Sequence, residues 1–149
     1  MLIWDCPDLI NEWISQRKGG RAHPGLCSAL GYTNDQGKLV AGLVFHDSNG
    51  VHCLANIALE NKIFPPALLK AGLSYAFGQL KLKRLTFIVS EGNIASQNLV
   101  RRLGAIPEAT LRDADINGNL LIFALFPENC KIWSRLNYGK VIGKRTGNT

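Results

Sequence analysis

The sequence has no apolar run approaching the roughly 18–20 residues that a membrane-spanning helix needs. Its start, Met1-Leu2-Ile3-Trp4-Asp5, has no basic stretch leading into an apolar one, so it does not read as a secretory leader. The four cysteines, Cys6, Cys27, Cys53 and Cys130, lie far apart, and no two form a C-x-x-C pair. That spacing argues against zinc or any other metal and for free, mostly buried thiols in a cytoplasmic protein. Acidic residues are outnumbered in one half only. Residues 1–75 carry six basic and six acidic side chains, whereas residues 76–149 carry eleven basic and five acidic, so the net charge of +6 belongs to the second half. A local anionic partner, nucleic acid among them, follows more naturally from this than a uniformly basic surface.

What is present describes one ordinary domain. The chain has 149 residues, 46% apolar and 19% charged, which excludes a disordered polymer and leaves no room for a second domain of usual size. We expect one domain over 1–136 and a basic, mobile tail over 137–149. A helix opens at Asp5 or Pro7, with Leu9, Ile10, Trp13 and Ile14 on one face, and Gly19-Gly20 ends it. Cys27–Thr33, Lys38–His46 and Val51–Leu59 read as an antiparallel meander, turning at Asn34–Gly37 and Asn49-Gly50. A two-residue turn at Asn49-Gly50 would pair Asp47 with His52 and His46 with Cys53. Pro66 starts a second helix, with Leu69, Leu73, Ala76, Phe77 and Leu80 on one face. Leu85–Val89 reads as a buried strand, Asn93 as an N-cap and Gly104 as a helix stop. Ala105–Arg112 and Leu120–Phe126 form a last hairpin through Asn117-Gly118, and Pro127–Leu136 a short final helix. The expected fold is α/β: a mixed, mainly antiparallel sheet with flanking helices.

The informative stretch runs from Phe87-Ile88-Val89 through Asn93-Ile94-Ala95-Ser96 to Leu103-Gly104-Ala105. It resembles the GNAT superfamily of N-acetyltransferases: a strand, N-x-x-A/S, then a helix ending in L-G. Glu108-Ala109-Thr110-Leu111-Arg112 followed by Gly118, and Tyr75-Ala76-Phe77 followed by Arg84-Leu85, resemble the branch that acetylates ribosomal-protein N-termini. Gly37-Lys38-Leu39-Val40-Ala41-Gly42 and Glu128-Asn129-Cys130-Lys131-Ile132-Trp133 are similar to small phage-encoded members, a group that includes Mom-type DNA modifiers. The resemblance spans about residues 27–126.

The resemblance implies acetyl transfer from acetyl-CoA, as cosubstrate, to an amine on a small molecule or a protein. Two parallel strands, 51–59 and 85–89, would part to admit the pantetheine arm. Backbone groups near Asn56, Ile57 and Ala58 would bind its amides, and Asn93 would also contact the cofactor. Two departures stand out. The family's glycine-rich phosphate loop falls on Asn61-Lys62-Ile63-Phe64-Pro65-Pro66-Ala67, which has no glycine, so Lys62 would have to meet the phosphates. The tyrosine that often serves as general acid falls on Val100, leaving Ser96 to assist the departing thiolate. The amine must lose a proton, and Glu60 and His52 are the candidates. Two other readings stand beside this one. The chain modifies or binds nucleic acid through its basic second half, with the rings of Trp133 and Tyr138 available for stacking. Alternatively, it has lost catalysis and binds a partner. The hairpin at 120–126 offers a sheet edge for a homodimer.

Overall fold

The computed structural model describes residues 1–3, 7–17 and 27–136. The expectations for Cys6, for Gly19-Gly20, for Tyr138 and for the tail 137–149 lie outside these residues. Among the described residues no helix is long and apolar enough to cross a membrane.

The elements are β1 (Leu2–Ile3), α1 (Pro7–Ser15), β2 (Cys27–Thr33), β3 (Leu39–His46), β4 (His52–Leu59), α2 (Pro66–Leu73), β5 (Arg84–Ser90), α3 (Ile94–Leu103), β6 (Ile106–Asp115) and β7 (Gly118–Leu125). A helix, α4, covers 131–136. The strands form one seven-stranded sheet in the order β1-β2-β3-β4-β5-β7-β6. Every neighbouring pair is antiparallel except β4 with β5. The expected mixed, mainly antiparallel α/β fold is therefore what the chain adopts.

Alternation along the central strands sends neighbouring side chains to opposite faces. Val44 and Ala58 turn to the face covered by α1, where Ile10 and Ile14 are fully buried. Burying each of these two isoleucines contributes about 1.5–3 kcal/mol. Gly42 lets α1 come this close, because a Cβ there would lie 3.2 Å from side-chain carbons of both isoleucines. Leu9, expected on the same face, is 55% exposed. Leu43, Phe45, Ala55 and Phe87 face the other way, into the larger core formed with α2 and α3.

Three local expectations change. Helix α2 does not run on as a regular α-helix: residues Ser74–Gln79 form a π-turn, with the Leu80 amide bonding the Tyr75 carbonyl. The wider turn rotates the residues beyond it, and Leu80 is 36% exposed, while on α2 itself Leu68 is fully buried. The β3–β4 connection is longer than two residues, since His46 pairs with Leu54. The Asn49 side chain accepts hydrogen bonds from the Val51 and His52 amides, at 3.0 and 2.9 Å, and so builds an Asx turn rather than sitting at the centre of a tight hairpin. The register shifts by one, and Asp47 bonds its neighbour His46 at 2.6 Å instead of His52. Finally, β7 lies inside the sheet and β6 forms the edge of that hairpin.

Candidate active site

Strands β4 and β5 pair over only three positions, His52↔Arg84, Cys53↔Leu85 and Leu54↔Thr86. Beyond them each strand follows its outer neighbour. Strand β4 stays on β3 as far as Leu59↔Ala41, and the Glu60 amide bonds the Val40 carbonyl. Strand β5 stays on β7 as far as Ser90↔Leu120, and the Glu91 amide bonds the Asn119 carbonyl. The two parallel strands therefore part.

Helix α3 closes the back of the opening. Its start is fixed by sequence chemistry: the Asn93 side chain caps the Ser96 amide at 3.2 Å. The Gln97 side chain donates to the Ser90 and Glu91 carbonyls, at 3.4 and 2.6 Å, and binds the helix to the end of β5. A cavity of about 40 Å³ lies between the parted strands, lined by Asn56 and Ile57 from β4, Ile88 and Ser90 from β5, and Asn93 and Ser96 from the start of α3. A larger one of about 410 Å³ continues outward past Ile57, Leu59, Glu60, Lys62, Asn93 and Ser96 to Arg17. Ser96 lines both, and among the described residues its hydroxyl has no hydrogen-bond partner.

The outer cavity has a charged wall. Arg17, past the end of α1, donates Nη2 to Glu60 Oε2 at 2.8 Å and Nε to the same oxygen at 3.1 Å. Its guanidinium stacks on the Trp13 ring, 4.0 Å from the centroid. Arg17 was not a candidate in the sequence: it lies 43 residues from Glu60, and no local pattern marks the pairing.

Of the residues named from the sequence, Asn56, Ile57, Asn93 and Ser96 come together at the inner cavity, and Glu60 and Lys62 join Asn93 and Ser96 at the outer one. The Ala58 side chain turns away, into the packing against α1. His52 does not join them. It sits at the closed end of β4, and its Nε2 lies 2.6 Å from Thr86 Oγ1. Arg84 donates to that same oxygen through Nε at 3.2 Å and Nη2 at 3.0 Å. The Thr86 hydroxyl hydrogen then points to His52 Nε2, which must be unprotonated to accept it. Desolvation, with the nearby Arg84 charge, holds the His52 pKa below its ordinary value.

The fit to CoA is good along the strands. The parted edges offer apolar walls at Ile57, Phe87 and Val89, and strand backbone beyond the end of the β4–β5 ladder for an amide-bearing arm. At the phosphate end, Lys62 is exposed with a left-handed backbone, φ 58°. Pro66 supplies no N–H, but the Ala67 and Leu68 amides open α2, where the first intrahelical bond is made by Leu69 to Pro65. Two helical amides and one lysine thus stand in the segment on which the glycine loop of the resembled family falls. Among the described residues no group of acidic, histidine and cysteine side chains is placed to hold a metal ion.

No protein-family model and no curated protein matches this sequence. Solved structures do. A mutant form of the spermidine/spermine N-acetyltransferase SpeG from Vibrio cholerae superposes with a TM-score of 0.67 at 15% identity, over 86% of this chain and 95% of that one. A probable acetyltransferase superposes with a TM-score of 0.58 at 19% identity, over 68% of this chain and 62% of that one. A GNAT-family acetyltransferase from Bacillus anthracis gives 0.57 at 19% identity, over 68% and 66%. The chain has the fold of the GNAT acetyltransferases.

Proposed function

We propose that this domain is an N-acyltransferase that moves an acyl group, acetyl first among them, from an acyl-CoA thioester to an amine. The observation that carries the reading is the parting of β4 from β5 after Leu54 and Thr86, which opens a cleft in the middle of the sheet.

The thioester supplies an activated carbonyl. Peptide groups at Asn56, Ile57 and Ala58 would hold the extended arm, Asn93 would contact it from the start of α3, and Lys62 with the first amides of α2 would meet the phosphates. The new bond joins the amine nitrogen to the carbonyl carbon as the carbon–sulfur bond breaks. Ser96 Oγ would donate a hydrogen bond to the departing sulfur, where negative charge develops. The proton lost by the amine would pass to Glu60, whose Oε2 is held by Arg17 while Oε1 has no partner among the described residues. His52 takes no part, because it lies at the far end of β4. The acceptor we favour is a small primary amine. The V. cholerae protein named above is a spermidine/spermine N-acetyltransferase, and the outer cavity is large enough for an aliphatic amine.

Calorimetric titration with acetyl-CoA and CoA tests the reading. Micromolar binding, abolished when Ile57→Trp fills the cleft, is the expected result. No heat up to millimolar ligand would overturn it and leave a GNAT-like fold that serves as a binding module.

A further inference from the structure

We propose that the end of the domain opposite the cleft is a docking surface for the phosphate backbone of a nucleic acid duplex. The basic excess of the second half of the sequence is gathered here by the fold. Strand β5 runs from this end to the cleft, and α3 runs back, so Lys83 lies roughly 20 Å from the Ser90–Asn93 turn, at about 3.3 Å per strand residue, and Arg101-Arg102 roughly 12 Å from it, at about 1.5 Å per helix residue.

Three segments meet at this end. The C-terminal stop of α3 abuts the turn before α4, where a Cβ on Gly104 would lie 3.0 Å from the Asn129 carbonyl carbon. Trp133 of α4 packs its ring 6.0 Å from that of Phe77 and against Gly78, just before the 80–83 segment. The three segments carry Lys81, Lys83, Arg101, Arg102, Lys131 and Arg135, all exposed. Among the described residues none of the six has an ion-pair partner. The carboxylates here are Glu128, on the turn before α4, Glu108, which is already held by Arg84 at 3.1 Å, and Asp47, which bonds His46 at 2.6 Å on the β3–β4 connection that the Lys83 amide joins at Val51.

Six cations without carboxylate partners, from separate elements, create a local field that folding must offset, and a polyanion relieves it by releasing its own counterions. Among the described residues the surface lacks the other half of single-strand recognition, a ring free to stack. Trp133 is only 8% exposed and belongs to the core, so its ring is not available to stack on a base, contrary to the expectation from sequence. That leaves phosphate contacts, which read no sequence. The surface is independent of the cleft, so its occupant is a scaffold and not the acyl acceptor.

Fluorescence anisotropy with two labelled 20-base-pair duplexes of unrelated sequence, from 50 to 200 mM NaCl, tests this. The two duplexes should bind alike, and the slope of log affinity against log salt should shrink by about 0.9 for each contact removed. Arg102→Glu with Lys131→Glu should weaken binding at least tenfold and leave acyl transfer and CoA binding unchanged. Lys38→Glu with Lys70→Glu, the same charge change on other faces, should leave duplex binding within twofold. Equal losses in the two double variants, no loss in either, or equally tight and equally Arg102-dependent binding of polyglutamate would each overturn the proposal.

Discussion

Arg17 donates both Nε and Nη2 to one oxygen of Glu60, Oε2, while its guanidinium rests on Trp13. The contact ties the end of α1 to the end of β4 and fixes the carboxylate at the cleft wall. Both side chains are partly exposed, 26% and 36%, so the pair contributes no more than about 1 kcal/mol to folding. In the proposed reaction its effect belongs to rate. Glu60→Gln should lower acyl transfer about 100-fold with little change in urea midpoint. Arg17→Met should lower kcat while acetyl-CoA binding is kept. A Glu60→Gln enzyme at full rate would remove Glu60 as the base.

Ser96→Ala should lower kcat by about 10- to 100-fold while CoA still binds, because in the proposed reaction the hydroxyl acts only as charge grows on sulfur. Its amide bond to Asn93 does not involve the hydroxyl, so helix α3 should be unaffected. Rate and calorimetry on the same preparation check this. An equal loss of CoA affinity and rate would instead make Ser96 a binding residue.

The His52 pKa is held below the ordinary 6.5 by burial and by Arg84. Between that lowered value and 6.5 the unfolded chain binds more protons than the folded one, so stability rises with pH across this window. The protein should therefore lose stability as pH falls below 6.5, until the folded-state pKa is passed. Urea midpoints on either side of that upper limit measure the loss, and His52→Asn should reduce it. An unchanged pH slope in that variant would assign the effect to other groups.

Gly104→Ala should destabilise the domain by about 2 kcal/mol or more. The position has φ 105°, and an added Cβ would run into the backbone carbonyl of Asn129, which cannot move aside without carrying Cys130 and Trp133 out of the core. Chemical denaturation checks it. Alanine at Gly92, where the space is open, is the matched control.

Burial pushes the Cys53 thiol up to about 11, and Cys130 is shifted in the same direction. Neither should react with a thiol reagent at mildly alkaline pH until the protein is unfolded. Labelling of Cys53 in the native protein would show that the closed end of β4–β5 opens.

Local chemistry made much of this molecule legible in its sequence. Asn93 before an amphipathic run, and Gly104 after it, set both ends of α3 by short-range rules. Apolar alternation located β2, β3 and β4 within a residue or so. What stayed hidden depends on distance or on a competing local bond. The short β1 pairs with β2 across residues 2 and 32, which no periodicity announces. The Asn49 side chain took over the turn and shifted the register, separating Asp47 from His52. The cleft residues Asn56, Asn93 and Ser96 were named through a resemblance, whereas Arg17, which no motif marks, emerged only when the chain was folded.

Strand β6 is open to solvent along nearly its whole length, from Ile106 to Ala114, and rests on β7 alone. It buries almost nothing, so its side chains answer to few constraints beyond the Pro107 and Asp113 bends and the Arg84 contact at Glu108. Mutations there should accumulate cheaply. The domain can rewrite its outer rim over generations while the cleft, shielded from that rim by β7 and β5, keeps its shape.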